Sequence, residues 1–558
     1  METVARGKIF VGLAGWAVFA IQPVQADDQL FIHQKQQQQA LEQRLEAKAP
    51  TVRLKRPDAL LPDYPDNEHP CFTINALRLE GDTAGRFQWA LESAEGAKGR
   101  CLGRQGILLA INKVQNAILA KGYVTTRVMA QEQDLTQGVL TLTLHPGRIA
   151  NIHFDEPASW RGRLWNAMPA ASGDILNLRD IEQALENFKR VPSAEADIKI
   201  VPSQQEATSD LLVSWKESRL PVRLSLSLDD SGAKSTGRYL GSATLAIDAP
   251  FAQNDLFYAN IGKDFFEHGP FGNRSRTINY FFPLGYWAFS ANHNDYTYHQ
   301  NIAEVSQVLT YRGKSENTQF TVSRLLFRNQ SHKTTLNMRV FRRHSTNAVN
   351  GIEMKQQRRR TAGWELGLSQ RSYLGNVTLD ANTNWRRGTG AFGALRAPEE
   401  AYHEGSARTG IALGDVSLNI PFAWGKQPWR YYTSVRWQWS PHPLTPQDRM
   451  SIAGRYTVRG FDGEQMLSGE KGLLWRNELA WNVLSRGHEL YWATDYGRVD
   501  GQGARHLAGH QLAGSALGIR GMLWGRFHYD LFAGVPLYKP KGFHTPGVSS
   551  GFSVNLEI

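Results

Sequence analysis

The chain has 558 residues and a formal net charge of +11 at pH 7, with 63 Lys and Arg against 52 Asp and Glu. A basic chain can bind nucleic acid, but no recognisable nucleic-acid motif accompanies this charge, so we expect no partner of that class. After the N-terminal region no stretch of about 18 or more apolar residues occurs, and the sequence therefore predicts no transmembrane helix.

The first 26 residues have the pattern of a secretory signal peptide. Arg6 and Lys8 form a short positive region, the 13 residues 9–21 are apolar, and Ala26 ends a small-residue cleavage site. A membrane anchor is the alternative, but a helix of this length is too short to span a hydrocarbon core of about 30 Å. We therefore expect residues 1–26 to act as a signal peptide. In an exported chain the basic charge favours anionic lipid or a charged lumen over nucleic acid.

Residues 27–48 favour a helix by propensity, and this helix is polar on nearly every side. Such a helix lies either in solvent or in a polar cavity, because it has too little apolar surface to pack in a core. Residues 49–70 contain five prolines and predict an extended linker rather than a domain.

Cys71 and Cys101 are the only two cysteines. In an exported protein such a pair predicts a disulfide rather than a metal or redox site, and there is no CxxC pattern here. The bond would close a loop of about 30 residues and stabilise the fold by roughly 3–4 kcal/mol on the chain-entropy model. We expect its role to be structural.

Residues 71–149 and 150–218 each have the pattern of a small α+β domain. In the first, an amphipathic helix at 103–121 is followed by a strand at 123–131, and in the second a helix at 178–191 lies between strands. Two successive mixed units of similar length indicate a tandem repeat.

From residue 219 to residue 558 helical patterning all but disappears and short alternating segments take its place. A soluble β-sandwich is the alternative, but it would need several domains to use this length, and no linker interrupts the region. A membrane barrel closes every strand edge and explains the recurring aromatic segments, and this length suits about 14, 16 or 18 strands. The clearest alternating faces carry Val222, Leu224, Leu226 and Leu228, and then Phe552, Val554, Leu556 and Ile558.

Three segments of this region resemble one family: 228–264, which begins LDDSG, VRGF at 458–461, and ATDYGRV at 493–499. The family is that of the outer-membrane transporters of two-partner secretion, of the haemolysin-activator and contact-dependent-inhibition type. The order of helix, proline-containing linker, two α+β domains and barrel is similar as well. The resemblance implies a membrane β-barrel of 16 antiparallel strands at 219–558. It also implies a plug helix (27–48) and two polypeptide-transport-associated (POTRA) domains before the barrel.

The resemblance further implies that Arg459, Gly460 and Phe461 form the tip of an inward-folded sixth extracellular loop, and that Arg459 pairs with Asp495 of the barrel wall. The chemistry agrees, because a planar guanidinium can bind a carboxylate with two parallel hydrogen bonds. In a partly wet lumen such a pair contributes about 1–3 kcal/mol. The alternative is an ordinary exposed loop arginine, which would stabilise little.

The implied function is export of a large partner exoprotein, a haemolysin, an adhesin or an inhibition toxin, carrying an N-terminal secretion domain. The transporter would lie in the bacterial outer membrane with its N-terminal domains in the periplasm, would contact outer-membrane lipid, and would be inserted by the barrel-assembly machinery. We expect a monomer, because one barrel supplies one pore. The partner would bind by adding a strand beside an edge of the first domain. The candidate edge comprises Tyr123, Val124, Thr125, Thr126, Arg127 and Val128, although these residues could equally serve that domain's own sheet.

A barrel-assembly insertase of the same superfamily is the alternative function, although such proteins usually carry more tandem domains and lack the plug helix. A barrel enzyme is the third class, but neither a GxSxG elbow nor an HExxH zinc pattern occurs. The GxGxxG match at 388–393 lies in a β-rich region and is followed by a loop, ALRAPEE, instead of the helix of the βαβ unit that a dinucleotide site requires. We therefore expect no catalytic residues, no metal and no cofactor.

Overall fold

The computed structural model describes residues 34, 36–39, 41, 51–54, 61–156, 161–217, 219–266, 269, 271–303, 308–484 and 487–558. The predicted signal peptide and most of the predicted helix at 27–48 lie outside these residues. Across the described ranges, no helix is both long enough and apolar enough to cross a membrane.

The first α+β unit contains a three-stranded sheet of order β2-β5-β4, in which β2 and β5 are parallel, and a separate antiparallel pair, β1 and β3. Alternation in β5 buries Leu140, Leu142 and Leu144 against helix α1, which contributes Val114 and Ile118 to the same core. Its elements are β1 (Phe72–Ile74), β2 (Ala76–Glu80), a 3₁₀ helix (Gln88–Ala97), β3 (Arg100–Leu102), α1 (Arg104–Ala120), β4 (Arg127–Met129) and β5 (Val139–His145).

Two features of this unit bear on the predictions. Cys71 and Cys101 form the predicted disulfide, with 5.2 Å between their Cα atoms. The predicted strand at 123–131 is wrong in extent, because only Arg127–Met129 forms a strand. The residues before it turn at Gly122, which has φ +100° and whose carbonyl oxygen accepts a hydrogen bond from the backbone of the second unit.

The second unit repeats the plan with a sheet of order β6-β8-β7, in which β6 and β8 are parallel. Asn177 caps helix α3 by accepting a hydrogen bond from the Arg179 backbone N–H at 2.9 Å. One face of α3 packs Ile181 and Leu185 on the sheet, while its polar residues are also buried. The elements are β6 (Arg148–Phe154), α2 (Leu164–Ala167), α3 (Leu178–Lys189), β7 (Ala194–Pro202) and β8 (Thr208–Glu217).

A closed barrel follows, and its neighbouring strands are all antiparallel, with β27 pairing back onto β9. Sixteen long strands form the wall, as predicted, and the two-residue β16 extends one hairpin. The strands are β9 (Val222–Asp229), β10 (Leu240–Asp248), β11 (Leu256–Asp264), β12 (Phe271–Leu284), β13 (Trp287–Ala303), β14 (Val308–Arg328), β15 (His332–Val349), β16 (Ile352–Glu353), β17 (Arg359–Leu374), β18 (Val377–Thr389), β19 (Gly410–Trp424), β20 (Gln427–Trp439), β23 (Lys471–Leu484), β24 (His488–Asp500), β25 (Gln511–Leu523), β26 (Phe527–Tyr538) and β27 (Ser549–Glu557).

Alternation sets the two faces of the wall. Leu224 and Leu226 point outward and are 37% and 41% exposed, whereas Ser225 and Ser227, which alternate with them, hydrogen-bond to neighbouring strands on the inner face. On the side of the α+β units, tight two-residue turns join the strands, as at Gly375 and Gly425, which have φ +63° and +62°. Longer loops lie on the opposite side of the barrel.

Candidate functional site in the barrel lumen

The longest connection on the far side of the barrel is the sixth, residues 440–470, called loop six here. It folds inward as a hairpin of β21 (Met450–Ile452) and β22 (Leu467–Gly469). The loop carries its own apolar core, because Ile452, Val458 and Phe461 are buried against inward-facing residues of the wall. Burial of these side chains explains why the loop lies in the lumen instead of in solvent.

Glycines allow the tip of loop six to touch the wall. Gly460 has φ +100°, and a Cβ there would lie 2.4 Å from the carbonyl oxygen of Val535. On the wall itself, a Cβ at Gly514 would lie 1.8 Å from the carbonyl oxygen of Arg459. Side chains are therefore excluded on both surfaces, and the Arg459 backbone approaches strand β25 directly.

Arg459 is the centre of the contact between loop six and the wall. Its Nε and Nη2 donate to the two carboxylate oxygens of Asp495, each at 2.7 Å, and its backbone N–H donates to Oδ2 at 2.9 Å. Nη1 donates to Glu478 Oε2 at 2.8 Å, and Nη2 also donates to the carbonyl oxygen of Asn477 at 3.1 Å. The structure thus brings together Arg459 and Asp495, which the sequence analysis paired. Arg459 is only 7% exposed and Asp495 only 3%.

The ionic network extends beyond the predicted pair. Arg520 donates to Glu478 Oε1 at 2.5 Å and to Glu489 Oε2 at 2.8 Å, and Arg430 donates to the same Glu489 oxygen at 2.8 Å. Glu478 therefore bridges Arg459 and Arg520, residues of loop six and of β25. Sequence reasoning did not identify Glu478. The feature that could have identified Glu478 from the sequence is its position two residues after Arg476, which places both side chains on the inward face of β23.

A second contact fastens loop six to the closing strands of the barrel. Arg455 pairs with Asp230, and its Nη1 donates to the carbonyl oxygen of Phe552 in β27 at 3.2 Å. Asp230 also accepts from Arg238 at 3.1 Å. Loop six is thus tied by charged groups to the first loop and to β27 as well as to β24.

The described residues of the predicted plug segment are helical and contact the lumen. Gln34 hydrogen-bonds to Ser315 on the inner face of β14 at 2.8 Å, and Gln36 donates to Ser451 of loop six at 2.9 Å. Gln38 donates to Thr277 of β12 at 3.3 Å. These are side-chain contacts between neutral polar groups.

The predicted partner-binding segment is divided by the structure. Tyr123 packs on Phe87 in the core of the first unit, with 4.8 Å between ring centroids, and Val124 packs into the core of the second. Thr125 and Thr126 lie against Gly147 at the junction between the two units. Tyr123, Val124 and Thr125 are therefore engaged in the two cores or at the junction, and they lie outside strand β4.

Arg127 and Val128 do lie on an edge strand, because β4 is the last strand of the sheet. Its outer side is covered by one side chain of α1: Gln115 accepts from the Val128 N–H at 2.8 Å and donates to the Thr126 carbonyl oxygen at 2.9 Å. One side-chain amide thus makes the two hydrogen bonds that the N–H and C=O of one residue of an added strand would make.

A third charged cluster joins the second α+β unit to the barrel. Arg328, the last residue of β14, donates to Glu182 Oε2 at 3.0 Å and to Glu186 Oε1 at 2.9 Å, both on α3. The linker lies across the same group: Arg328 donates to the Val52 carbonyl oxygen at 2.6 Å, and Leu54 N–H donates to Glu182 at 2.8 Å. Burial tends to raise the pKa of Glu186, but Lys333 and Arg328 outweigh it and hold this pKa below its ordinary value. The carboxylate therefore stays ionised in the junction.

Throughout the described part of the chain, no group of three or more His, Cys, Asp or Glu side chains could hold a metal ion.

Comparison with known sequences gives a consistent result for each region. The sequence model described as "Haemolysin secretion/activation protein ShlB/FhaC/HecB" matches residues 207–521. A POTRA domain model of ShlB type matches residues 72–147, and a second POTRA domain model matches 148–202. The two predicted POTRA domains are confirmed.

Individual proteins match nearly end to end. The outer membrane transporter CdiB-2 of Burkholderia pseudomallei strain 1026b is 36% identical over 94% of this chain and 93% of that protein. The solved structure of CdiB from Acinetobacter baumannii is 31% identical, with a TM-score of 0.84 over 96% of this chain and 99% of that one. CdiB from Escherichia coli is 25% identical, with a TM-score of 0.85 and the same coverage. The hemolysin transporter protein ShlB of Serratia marcescens is 25% identical over 86% of this chain and 83% of that protein.

Proposed function

Because this chain belongs to the family of haemolysin secretion/activation proteins, we propose that loop six closes its pore at rest and is released from Asp495 during export. As a family member the chain is an outer-membrane transporter of two-partner secretion, and its POTRA domains face the periplasm. The loops on the far side of the barrel are accordingly extracellular. The observation that carries the proposal is the buried contact of Arg459 with Asp495 and Glu478.

The strength of this contact suits a loop that must close the pore at rest and leave Asp495 during export. Charge-assisted hydrogen bonds are among the stronger polar contacts, but desolvation of the buried charges offsets much of their attraction. Removing only one partner of such a pair costs about 3–5 kcal/mol, because the other charge is left buried and unpaired. A polypeptide passing through the lumen can supply replacement polar groups and water, so release during transport costs less than deletion.

The partner is proposed to enter through the first POTRA domain. Its extended segment would add to β4 at Arg127–Met129, replacing the side chain of Gln115 on Val128 N–H and Thr126 C=O. The exposed side chain of Met129, at 49%, would contact the incoming segment. Tyr123, Val124 and Thr125 are not part of this proposed edge, because they are engaged between the POTRA domains.

The N-terminal helix is proposed to act as a plug. Its glutamines hydrogen-bond to neutral hydroxyl groups of the wall and loop six, and each such bond contributes only about 1 kcal/mol net. The helix can therefore leave when a partner arrives, while residues 51–54 remain on the junction formed by Arg328 and helix α3.

The partner is proposed to be a large exoprotein with an N-terminal secretion domain, a haemolysin, an adhesin or a contact-dependent inhibition toxin. We propose a monomeric transporter inserted by the barrel-assembly machinery, with domain limits at 27–48, 49–70, 71–149, 150–218 and 219–558. No enzymatic reaction is assigned. A barrel-assembly insertase is the less supported alternative, because the sequence model that matches the barrel describes secretion and activation proteins.

The test is secretion of the co-encoded exoprotein from cells that carry the wild type, a deletion of residues 71–149, or Arg459→Ala. Heat-modifiable gel mobility reports barrel insertion in each strain. The proposal expects normal insertion and retention of the partner in the periplasm by both variants. If the partner reaches the surface undiminished while other outer-membrane proteins are depleted, the transporter is an assembly factor instead.

A further inference from the structure

A furrow of about 1,760 Å³ runs along the outer wall of the barrel, and neither Arg459 nor Asp495 lines it. The pairing of the strands shows that the side chains of the furrow face outward from the barrel. Asn260 and Thr277 are directly paired and face the lumen, where Gln38 contacts Thr277, so their neighbours Ile261 and Arg276 face outward. The furrow therefore opens toward the lipid and the space just above it.

One end of the furrow is apolar. Leu556, Leu226, Ala243 and Ile261 are directly paired in succession across β27, β9, β10 and β11. Leu226 is 41% exposed and Ile261 is 58% exposed on the outer face. Ala243 between them is small, so the row is a shallow channel flanked by larger apolar side chains.

The other end of the furrow is cationic. Arg274 of β12, Arg312 of β14 and Arg360 of β17 line it, and within the described ranges no carboxylate lies at ion-pair distance from any of them. Of the other cations that line the furrow, Lys314 pairs with Glu316 at 2.6 Å and Arg358 pairs with Glu353, while Lys263 lies directly beside Arg274 on the neighbouring strand. Three guanidinium groups therefore remain for an anionic ligand.

Strand length places the two ends at different depths. A tilted strand needs about 9–11 residues to cross the membrane, whereas β14 has 21 and β17 has 16. Arg312 and Arg360 are in the first quarter of these strands, at their extracellular ends, and so lie above the apolar band. Ile261 lies next to the middle residue of the nine-residue β11, nearer the centre of its strand than Arg312 and Arg360 are to the centres of theirs.

The furrow joins its cations to an apolar channel. Outward-facing cations also occur elsewhere near the extracellular ends of the strands, as at Arg387 of β18 and Lys471 of β23. At the furrow, however, three arginines stand together where an apolar channel leads down into the bilayer.

We propose that this furrow binds one phosphorylated glycolipid of the outer leaflet, a lipopolysaccharide, by its lipid A part. The acyl chains would lie along Leu226 and Ile261, and the phosphates would accept hydrogen bonds from Arg274, Arg312 and Arg360. A guanidinium matches a phosphate with two parallel N–H donors, and basic clusters beside a membrane recognise anionic headgroups in this way. Arg274 and Arg312 stand on strands separated by one other, about 10 Å apart across the sheet, so two phosphates can be bound at once. The proposal rests on the outer-membrane location of the family and not on the gating mechanism.

The test is native mass spectrometry of the purified full-length protein in detergent, titrated with diphosphoryl lipid A. The probe variant is Arg274→Gln/Arg312→Gln/Arg360→Gln. The matched control is Arg387→Gln, an outward-facing, exposed arginine near the extracellular end of β18 that does not line the furrow. Each arginine near a charged membrane surface contributes roughly fivefold in affinity. We therefore expect lipid A to bind at least about tenfold more weakly to the triple variant than to the wild type, and to bind to the control variant as tightly as to the wild type.

Dephosphorylated lipid A should bind to the wild type as weakly as intact lipid A binds to the triple variant. Equal binding of lipid A to the wild type and the triple variant would overturn the proposal, as would equal binding of phosphatidylglycerol and lipid A to the wild type. If the triple variant does not insert, single Arg312→Gln replaces it. Secretion by the variants is measured in parallel and should be unchanged, so a failed lipid site and a failed transport model give different results.

Discussion

Arg459 and Asp495 are joined by three hydrogen bonds of 2.7, 2.7 and 2.9 Å, two from the guanidinium and one from the backbone N–H of the arginine. The backbone bond means that the tip of loop six is held by its main chain as well as by a side chain. Substituting the arginine therefore loosens the loop without removing every contact to the wall.

Arg459→Ala is expected to weaken the seating of loop six by about 3–5 kcal/mol, because buried Asp495 loses its hydrogen-bonded cation and Glu478 keeps only its contacts with Arg520 and Arg430. The measurement is single-channel conductance in planar bilayers, in which the variant should open more often, combined with secretion of the partner. Arg505→Ala removes an exposed arginine from the next extracellular loop and serves as the control. Unchanged conductance and secretion in Arg459→Ala would contradict a gating role.

Gly514→Ala tests the close approach of loop six to the wall without removing any charge. The added Cβ would lie 1.8 Å from the Arg459 carbonyl oxygen, so the loop tip must move. We expect the same increase in channel opening as for Arg459→Ala. Gly547→Ala is the control, because a Cβ there meets nothing within 4 Å. Wild-type conductance in both glycine variants would show that loop six does not control the pore.

The barrel was predictable because alternation is a local property: each of Leu224, Ser225 and Leu226 indicates its face without knowledge of its partner strand. The Arg459–Asp495 pair was inferred by resemblance and not from its chemistry. The contact of Glu478 with Arg520 was not predicted, because it depends on the register of β23, β24 and β25, which no short segment encodes.

The strand expected at 123–131 was wrong for a similar reason. Its apolar and β-branched residues suit a strand, but Val124 packs into the second POTRA domain and Gly122 turns the chain with φ +100°. Tertiary contacts there override local propensity. The contact of Arg328 with Glu182 could not be predicted from the sequence either, because 146 residues separate the two.

Gln115→Ala tests strand addition at β4. The substitution exposes Val128 N–H and Thr126 C=O, so an incoming segment no longer has to displace a side chain. Each hydrogen bond to be displaced contributes about 1 kcal/mol net, and two together correspond to roughly 30-fold tighter binding of the partner's secretion domain. The measurement is calorimetric titration of the transporter with that domain. Gln105→Ala, on the exposed start of α1, is the control, and equal affinity in Gln115→Ala and wild type would argue against this edge.

Glu68 gives the first POTRA domain a dependence on pH. Burial acts to raise its pKa, but hydrogen bonds from the backbone N–H groups of Gly106, Gly103 and Gln105 hold this pKa below the ordinary value of 4.5. The ionised carboxylate caps the N-terminus of α1. A lowered folded-state pKa means that this stabilisation is complete above pH 4.5 and is lost as the pH falls through the folded value.

We therefore expect the protection factors of the amides at the start of α1 to fall in acid in the wild type. Glu68→Gln should show low protection factors at neutral pH already, with little further change in acid. Glu80→Gln, at the exposed end of β2, is the control and should follow the wild type. Slow exchange in Glu68→Gln at neutral pH would show that the cap does not hold the helix.

Arg328→Met tests the junction between the second POTRA domain, the barrel and the linker. Arg328 donates to Glu182, Glu186 and the carbonyl oxygen of Val52, so its loss leaves two buried carboxylates with fewer cations. Methionine keeps most of the side-chain volume, and the change therefore removes charge and not packing. We expect the POTRA domains to separate from the barrel more readily, by about 3 kcal/mol or more for unpaired buried charge.

Double electron–electron resonance between spin labels on the second POTRA domain and on the barrel rim should then show a broader distance distribution and fewer short distances. Arg324→Met is the control on the same strand, since Arg324 stacks on Trp287 of the outer wall at 4.8 Å and does not reach α3. The linker lies on Arg328, so partner secretion should fall together with the order of the junction. An unchanged distance distribution with lost secretion would place the role of Arg328 in binding the linker or the partner, because docking would then survive without its charge.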